Sequence, residues 1–206
     1  MSVSPDSRQR LIDAAIEVIA TKGESALRLT EVAEMAGLKQ PTIHHFFPGR
    51  EDLVVAAHRE RYRRAVFDAF ETFDSLVAGA NTREEFVEAS ERGLRYAFQN
   101  SHKTARATRI ALFAKAETNK ELLQEINDSS FEANRGLATV IAKGQANGWI
   151  RDDFTPLTLA VWIRSQIFGR YVLEIDSDRY DGDEWTQISL AAIGAVFWGP
   201  EHGWLA

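Results

Sequence analysis

The feature that most constrains the fold of this chain is the spacing of its apolar residues, which repeats every three to four positions along most of its length. In the first segment this repeat consists of Leu11, Ala14, Ala15, Val18 and Ile19, which lie on one face of a helix. The chain contains only five prolines, and none interrupts a long apolar-periodic stretch. Sustained alternation of apolar and polar residues, the pattern of a strand, is missing from the sequence. The sequence therefore predicts an all-α protein.

Caps and helix breakers divide the chain into about nine helices. The predicted segments are 6–22, 29–36, 41–47, 50–75, 83–99, 102–116, 118–146, 156–174 and 184–197. Gln40 is expected to cap the third segment, which begins at Pro41. Thr118 is expected to open the seventh through a capping box, and Thr155 to cap the eighth. Because the short helices come first, we place a small domain at 1–49 and a larger one at 50–206.

Composition excludes several classes of protein. Cysteine is absent from the sequence, which excludes a disulfide framework, a thiolate nucleophile and a cysteine-based zinc site. No uninterrupted apolar run approaches the roughly 18 residues that a membrane span needs. The N-terminal residues lack the basic start and apolar core of a signal peptide. We therefore expect a soluble, cytoplasmic protein with no membrane partner.

The charge is distributed unevenly along the chain. A net charge of −6 argues against a protein that coats nucleic acid without selectivity. Between Leu38 and Arg50, however, there are two basic residues, two histidines and no acid. Close approach to phosphate requires such an acid-free segment. A chance gap between acids looks the same, so this segment becomes informative only together with a motif.

Two short predicted helices, 29–36 and 41–47, meet at Gly37 with the proportions of a helix-turn-helix. Val32, Ala33 and Ile43 can share one core, which leaves the polar side chains of the second helix facing outward. Polar side chains so placed can bond to phosphates or to base edges in the major groove. By spacing alone, the same arrangement also occurs in helical hairpins that bind nothing.

The stretch RLIDAAIEVIATKG…ALRLTEVAEMAGLKQPTIHHFFPGREDLV resembles the N-terminal domain of the TetR family of repressors. The residues that carry this resemblance are Ala14-Ala15, Gly23, Val32-Ala33, Ala36-Gly37-Leu38, Thr42-Ile43-His44-His45-Phe46-Phe47, Arg50-Glu51 and Leu53. The match covers about the first quarter of the chain and is specific as a set. It implies a nine-helix protein whose first domain binds DNA and whose second domain binds a ligand and dimerises.

The resemblance also implies roles for individual residues. It implies that Thr42, His44 and Arg50 contact phosphates, while Gln40 and His45 reach toward bases. The alternatives are that Thr42 is only a first-turn helix residue and that both histidines are solvated, or that His44 packs against a core aromatic. Arg50 could equally pair with a nearby carboxylate at the surface.

Two further candidate DNA contacts, Arg28 and Lys39, depart from the family pattern, which usually has serine or threonine at the first position and often serine at the second. Thr30 is the alternative cap for the second helix. A lysine at position 39 reaches phosphate but cannot cap a helix as serine does. These departures affect the identity of the DNA site more than the fold.

A ligand pocket among bundle helices would be mostly apolar with a few polar anchors. The candidate lining residues are large apolar side chains and polar anchors drawn from several helices: Phe70, Phe98, Arg109, Phe113, Glu117, Phe131, Asn134, Trp162 and Gln166. The alternative is that the aromatic members are ordinary core and that the polar members are solvated or locally paired.

The last two helices carry stripes that suit a dimer interface. The candidate interface residues are Leu157, Val161, Ser165, Phe168, Ile188, Ala191, Ala192 and Ala195. The small residues among them permit close helix packing, and two helices from each subunit would form an isologous four-helix contact. An intramolecular hairpin that covers the core is the alternative.

Catalytic motifs are missing from the sequence: there is no G-x-S-x-G, P-loop, G-x-G-x-x-G or H-E-x-x-H. The five histidines are not spaced as a metal site, and no cofactor is expected. We therefore predict a homodimeric transcriptional repressor that leaves a near-palindromic DNA operator when a small apolar or amphipathic effector binds. The alternatives are a helical protein-interaction adaptor and an enzyme that acts on an apolar substrate.

Overall fold

The computed structural model describes residues 5–199, apart from the side chains of residues 5, 65–70 and 72. Over this range the chain forms nine helices of seven or more residues and no strand, which confirms the predicted all-α fold. The helices are α1 (Pro5–Lys22), α2 (Leu29–Met35), α3 (Gln40–Phe46), α4 (Arg50–Ala78), α5 (Arg83–Ala97), α6 (Lys103–Ala116), α7 (Lys120–Ala146), α8 (Pro156–Glu174) and α9 (Gly182–Trp198). Short 3₁₀ turns precede α2 (Glu24–Ala26) and α6 (Asn100–His102).

The helix ends show which local predictions were wrong. The seventh helix is capped by Asn119, whose side chain accepts a bond of 3.0 Å from the Leu122 N–H, whereas the Thr118 hydroxyl donates to the preceding helix. Gln40 is the first residue of α3 instead of its cap, and Lys39 occupies the cap position without a side-chain bond. Because α2 already begins at Leu29, Thr30 lies inside the helix and does not cap it.

The N-terminal core joins α1, α2 and α3 to the first two turns of α4. Its buried residues include Leu11, Ala15, Val18, Val32, Ala33, Ile43, Phe47, Leu53, Val54 and Ala57. Burying one side chain of the size of Val or Phe stabilises a fold by about 1.5–3 kcal/mol. The start of α4 is thus part of the core that holds the helix-turn-helix, and a domain boundary at residues 49/50 stays a prediction.

The remaining helices form a bundle in which α7 packs against α4 and α8, while α9 packs against α5 and α8. Its larger core includes Phe86, Leu94, Phe98, Ile141, Leu159, Ile193, Phe197 and Trp198. A smaller cluster surrounds Tyr62 of α4, whose hydroxyl lies 2.6 Å from Ser130 Oγ on α7. Within residues 5–199, none of the helices is both long and apolar enough to span a bilayer.

Candidate DNA-binding surface and ligand cavity

The outward face of α3 is polar because the opposite face is anchored in the core. Ile43 and Phe47 are buried at 0% and 2% exposure. Gln40, His44 and His45 are exposed on the other side of the same helix. Their exposure places these three predicted DNA contacts on one accessible surface, and it shows that His44 is not packed into the core.

The two remaining candidates on this segment lie at the start of α3. Lys39 is exposed at the cap position, and Thr42 is half-buried, with its N–H donating to the Lys39 carbonyl at 2.9 Å. The exposed surface formed by Lys39, Gln40, Thr42, His44 and His45 is called the α3 surface below.

The turn before α3 is held in one shape by a glycine and an arginine. Gly37 has a φ of 65°, which L side chains rarely adopt. A Cβ placed there would lie 2.9 Å from Arg10 Nη2, and this guanidinium donates to the Ala36 carbonyl at the end of α2. Arg8 lies over the Phe47 ring at 5.3 Å from its centroid. The angle between α2 and α3 therefore depends on contacts from α1 as well as on the glycine.

The other two predicted DNA contacts, Arg28 and Arg50, turn toward backbone carbonyls. Arg50 Nε donates to the Leu27 carbonyl at 3.2 Å, and Nη2 donates to the Glu24 carbonyl. Arg28 Nη1 donates to the Ser25 carbonyl at 2.8 Å and to the Leu27 carbonyl at 3.1 Å. In this structure both guanidinium groups hold the turn that leads into α2, and a contact of either group with a DNA phosphate stays a prediction.

A carboxylate from the N-terminal domain, Glu24, connects it to the bundle. Glu24 Oε2 lies 2.7 Å from His58 Nε2 on α4, and Oε1 lies 2.8 Å from Lys115 Nζ at the end of α6. Partial burial opposes ionisation of this carboxyl, but the hydrogen bonds from Lys115 and His58 outweigh it and lower the pKa of Glu24. The end of α6 is therefore tied to the turn that Arg50 also holds. The sequence did not predict this contact, because His58 and Lys115 lie 34 and 91 positions after Glu24 in the chain.

The bundle encloses a cavity of about 180 Å³ between α4, α5, α6, α7 and α8. Its apolar lining includes Phe73, Leu76, Leu94, Ala133, Leu137, Ile163 and Ile167, and its polar lining consists of His102, Arg106, Arg109 and Arg164 together with the Tyr96 ring. Among residues 5–199 with described side chains, no group of three histidines or acids is placed to hold a metal ion. The cavity therefore offers an apolar chamber with basic groups at its wall.

The basic groups of the cavity wall have different partners among the described residues. Arg106 Nε donates to Glu174 Oε2 at 2.9 Å, and both side chains are 1% exposed. Arg164 Nη1 donates to the Ser130 carbonyl at 3.0 Å and to Asn134 Oδ1 at 2.5 Å, which are both neutral acceptors. Burial lowers the pKa of Arg109; the Tyr62 hydroxyl opposes this shift, while the nearby guanidinium groups of Arg164 and Arg106 add to it.

Of the predicted ligand residues, only Arg109 lies in the described cavity wall. Asn134 stands behind the wall and holds Arg164. His102, Arg106 and Arg164 line the cavity without having been predicted. An isolated basic residue on a helix is usually solvated, so the sequence contains no signal that distinguishes these three residues.

The other predicted ligand residues with described side chains lie outside the lining of this cavity, and their contact with a ligand stays a prediction. Phe98 and Trp162 belong to the larger core, and Phe113 packs between the Tyr62 and Phe168 rings. Phe131 is 54% exposed, and Glu117 is also exposed. The remaining two are Gln166, which donates to the neighbouring Ser165 hydroxyl at 3.4 Å, and Phe70, whose side chain lies outside the described residues.

The predicted dimer residues form an exposed apolar face on α8 and α9. Leu157, Val161 and Ile188 are large apolar side chains exposed by 38%, 49% and 63%. Ser165 and Ala192 are also exposed, whereas Ala191 and Ala195 are half-buried. Phe168 is half-buried and turns toward Phe113 instead. The apolar face continues to the end of α8 through Val172 and Ile175, which are both 70% exposed.

The fold is a helix-turn-helix joined by one long helix, α4, to a helical bundle that contains a cavity. Residues 11–57 match the family profile described as bacterial regulatory proteins, tetR family. The matched residues include α2, α3 and the first two turns of α4, so the N-terminal core of this chain is similar to the regulators of that family.

Individual proteins are similar to this chain over longer ranges. The HTH-type transcriptional regulator BetI of Rhizobium meliloti (strain 1021) is 30% identical over 122 residues, which are 59% of this chain and 58% of the length of that relative. A structure of a putative transcriptional regulator from Saccharomonospora viridis in complex with choline has a TM-score of 0.65 at 21% identity, covering 94% of this chain and 98% of the other. Thermus thermophilus FadR in complex with lauroyl-CoA has a TM-score of 0.64 at 16% identity, covering 90% and 92%. At these identities the two structures show the fold alone.

Proposed function

We propose that this protein is a sequence-specific DNA-binding transcriptional regulator whose affinity for DNA is lowered when a small ligand binds. The observation that carries the proposal is the α3 surface, a polar helix face held by a buried core. Five polar side chains point outward there, while Ile43 and Phe47 fix the helix from behind. A helix presented in this way fits the major groove.

The charge around the α3 surface supports contact with DNA. No acid lies between Leu38 and Arg50, although the whole chain carries a net charge of −6. Lys39, Thr42 and His44 are proposed to contact phosphates, whereas Gln40 and His45 are proposed to reach base edges. Arg28 and Arg50 are proposed to act through the turn that they hold, which positions the start of α2.

The exposed apolar face of α8 and α9 is proposed to pair with the same face of a second copy. Leu157 and Val161 on α8 and Ile188 on α9 are exposed, and exposed apolar side chains of this size are typical of an interaction surface. A two-fold dimer would present two α3 surfaces to successive turns of DNA, about 34 Å apart, and so read a near-palindromic operator. A regulator of this kind works in the cytoplasm and releases its ligand chemically unchanged, unlike an enzyme.

The cavity is proposed as the effector site. It is enclosed by α4 to α8, and Lys115 at the end of α6 contacts Glu24 beside the DNA-binding domain. A ligand that favours one arrangement of these helices changes operator affinity, typically by about 1–3 kcal/mol, and operator DNA must weaken ligand binding by the same factor.

Fluorescence anisotropy tests the proposal with the DNA that flanks the gene of this protein, a scrambled duplex as competitor, and several salt concentrations. We expect binding that survives the competitor and weakens linearly on a log–log salt plot. Thr42→Ala should weaken binding to all sequences alike, and Gln40→Ala should relax discrimination at one base pair, by about 1–3 kcal/mol. Thr139→Ala, an exposed helical threonine on α7, is the matched control and should bind as the parent does.

Equal binding to operator and scrambled duplexes at every salt concentration would contradict the proposal. Unchanged binding by the Thr42 and Gln40 variants would contradict the role of the α3 surface in particular. In the first case, the remaining interpretation of this surface is a contact with another protein.

A further inference from the structure

His102 brings to the cavity wall a ring nitrogen that the described contacts leave unused. It lines the cavity at the last residue before α6 begins, and its Nε2 is buried without a hydrogen-bond partner among the described residues. Its ring packs edge-on against the Tyr96 ring, with 4.7 Å between centroids. A buried polar atom without a partner lowers the stability of a fold, and a ligand group that bonds to this atom removes the penalty.

Two basic groups of the same wall differ from His102, because they already donate to protein acceptors. Arg106 donates from Nη1 to the Ala97 carbonyl at 2.7 Å and from Nη2 to the Gln99 carbonyl at 2.8 Å, in addition to its pair with a buried carboxylate. Arg164 Nη1 donates to two neutral acceptors on α7. A ligand that bonds to His102 Nε2 therefore displaces none of these described hydrogen bonds.

The chemistry of the imidazole favours a hydroxyl as its partner. Burial lowers the pKa of His102 below its ordinary value, and the charges of Arg106 and Arg109 lower it further, so the ring is neutral at pH 7. In a neutral imidazole one nitrogen donates and the other accepts, and the tautomer decides which. A hydroxyl both donates and accepts, so it satisfies Nε2 in either tautomer, whereas a carboxylate only accepts and an ammonium only donates. A neutral ring also supplies no counter-charge for an ionised ligand.

The volume and the apolar lining of the cavity limit the rest of the ligand. At about 180 Å³, the cavity is slightly larger than an apolar cavity of about 150 Å³ that accommodates a benzene molecule. Phe73, Leu137 and Ile167 line it from α4, α7 and α8, whereas His102 lies at the start of α6. One ring with a short side chain fits this chamber, whereas a long acyl chain exceeds it.

We propose that the cavity binds a small uncharged molecule with a compact apolar body and one hydroxyl, which bonds to His102 Nε2 while the body contacts the apolar wall. His102 is then the residue that distinguishes this ligand from a hydrocarbon of the same shape, because its buried nitrogen gains a partner only from the hydroxyl. As the effector class, this inference rests on the proposed regulatory function; as a binding property, it can be tested separately.

Isothermal titration of the full-length protein without DNA tests the ligand class with three related compounds. The first, 2-phenylethanol, carries the hydroxyl. In propylbenzene a methyl group of similar size replaces the hydroxyl, and in phenylacetate the same carbon skeleton ends in a carboxylate. We expect 2-phenylethanol to bind, and to bind more tightly than phenylacetate. Failure of 2-phenylethanol to bind, or tighter binding of phenylacetate, would overturn the inference.

Variants locate the bond to the hydroxyl at His102. His102→Phe keeps an aromatic ring beside Tyr96 but removes Nε2, so the ratio of the affinity for 2-phenylethanol to that for propylbenzene should fall about tenfold. The affinity for propylbenzene is measured by competition with 2-phenylethanol, and its retention shows that the cavity of the variant is intact; His102→Leu serves if it is lost. Ser101→Ala, which removes an exposed hydroxyl next to His102 in the chain, should keep the parent ratio. An unchanged ratio in the His102 variant would overturn the assignment.

DNA binding then separates the two proposals. If 2-phenylethanol binds through His102 but does not release DNA, the ligand class stands and the effector role fails. If the protein binds its operator while 2-phenylethanol does not bind to the protein, the regulatory function stands and the ligand class fails.

Discussion

The N-terminal core and the bundle differ in the side chains that they bury and in how completely these fill the interior. The N-terminal core is filled with small and medium side chains, such as Ala15, Ala33 and Ala57, at 0–2% exposure. The bundle core is built from aromatic and branched side chains, yet it buries Arg106, Arg170 and Glu174 and leaves a cavity of about 180 Å³. Small residues let helices approach closely and leave little room for rearrangement.

The difference is consistent with the function proposed for each region. A surface that reads DNA needs fixed distances between its side chains, and close packing provides them. A chamber that admits a ligand needs space and polar anchors. Empty space lowers the stability of the fold, and a buried charge lowers it unless the charge is paired. Each prediction below tests one part of this contrast.

The largest effect is expected from removing the buried carboxylate of the bundle. Glu174→Leu leaves the Arg106 guanidinium, 1% exposed, without its counter-charge, and this should lower the free energy of unfolding by about 3–5 kcal/mol. Denaturant unfolding monitored by circular dichroism measures the change. The double variant Arg106→Met/Glu174→Leu should recover part of the loss, because the Arg106 charge is removed while Arg170, whose Nε lies 3.8 Å from Glu174 Oε1, still loses its carboxylate. Equal stability of Glu174→Leu and the parent would show that the pair is not buried as described.

A smaller effect is expected from adding the same side chain to each region. Ala33→Leu overfills the N-terminal core, where Ala33 is 2% exposed, and should cost about 1–3 kcal/mol. Ala105→Leu extends into the cavity, so we expect a change in the free energy of unfolding within about 0.5 kcal/mol. Thermal unfolding of both variants compares the two sites. A larger loss at Ala105 than at Ala33 would reverse the contrast between a filled core and an open one.

The contact between the two regions is expected to affect coupling more than stability. Lys115→Met removes the 2.8 Å bond to Glu24 from a lysine that is 35% exposed, so its effect on unfolding should stay below about 1 kcal/mol. The ratio of operator affinities with and without a saturating effector should fall toward one. Lys120→Met, an exposed lysine at the start of α7, is the control. An unchanged ratio in Lys115→Met would mean that the coupling takes another route.

The smallest effect is expected at an exposed ion pair on the same bundle. Glu91→Gln removes the pair with Arg95 one helical turn away, whose side chains are 31% and 52% exposed. Its effect on the free energy of unfolding should stay below about 0.5 kcal/mol. Compared with Glu174→Leu under identical denaturant conditions, it measures how strongly burial changes the consequence of losing a carboxylate. A loss that approaches that of Glu174→Leu would remove the distinction.

Local signals predicted the fold well because helix caps depend on neighbours in sequence. Pro156 begins α8 and Glu174 ends it, as predicted, and Gly148 has a φ of 69° after α7. Where two adjacent residues can both cap, as Thr118 and Asn119 can, the pattern could not decide between them. The choice depends on the path of the preceding turn, which the local pattern does not contain.

The polar groups of the cavity could not be predicted, because their partners are distant in sequence. Arg106 and Glu174 are 68 positions apart, and neither belongs to a motif. Aromatic residues were the wrong guide: Phe131 is exposed and Phe98 is packed in the core. The outward face of α3 was predictable because a single helical period separates its buried and exposed residues. The sequence predicted that Arg50 begins α4 but not which groups it contacts, because its carbonyl partners lie 23 and 26 residues away.

Helix α4 belongs to both cores, and its length has a mechanical consequence. It is 29 residues long, which at 1.5 Å per residue gives a rod of about 43 Å. If the bundle end tilts by about 5°, simple trigonometry moves the other end by about 4 Å, a third of the roughly 12 Å width of the major groove. In a two-fold dimer both rods move, and the separation of the two α3 surfaces can change by up to about twice that distance. A small tilt of the bundle can thus change the separation of the two α3 surfaces enough that they no longer fit two successive major grooves of the DNA.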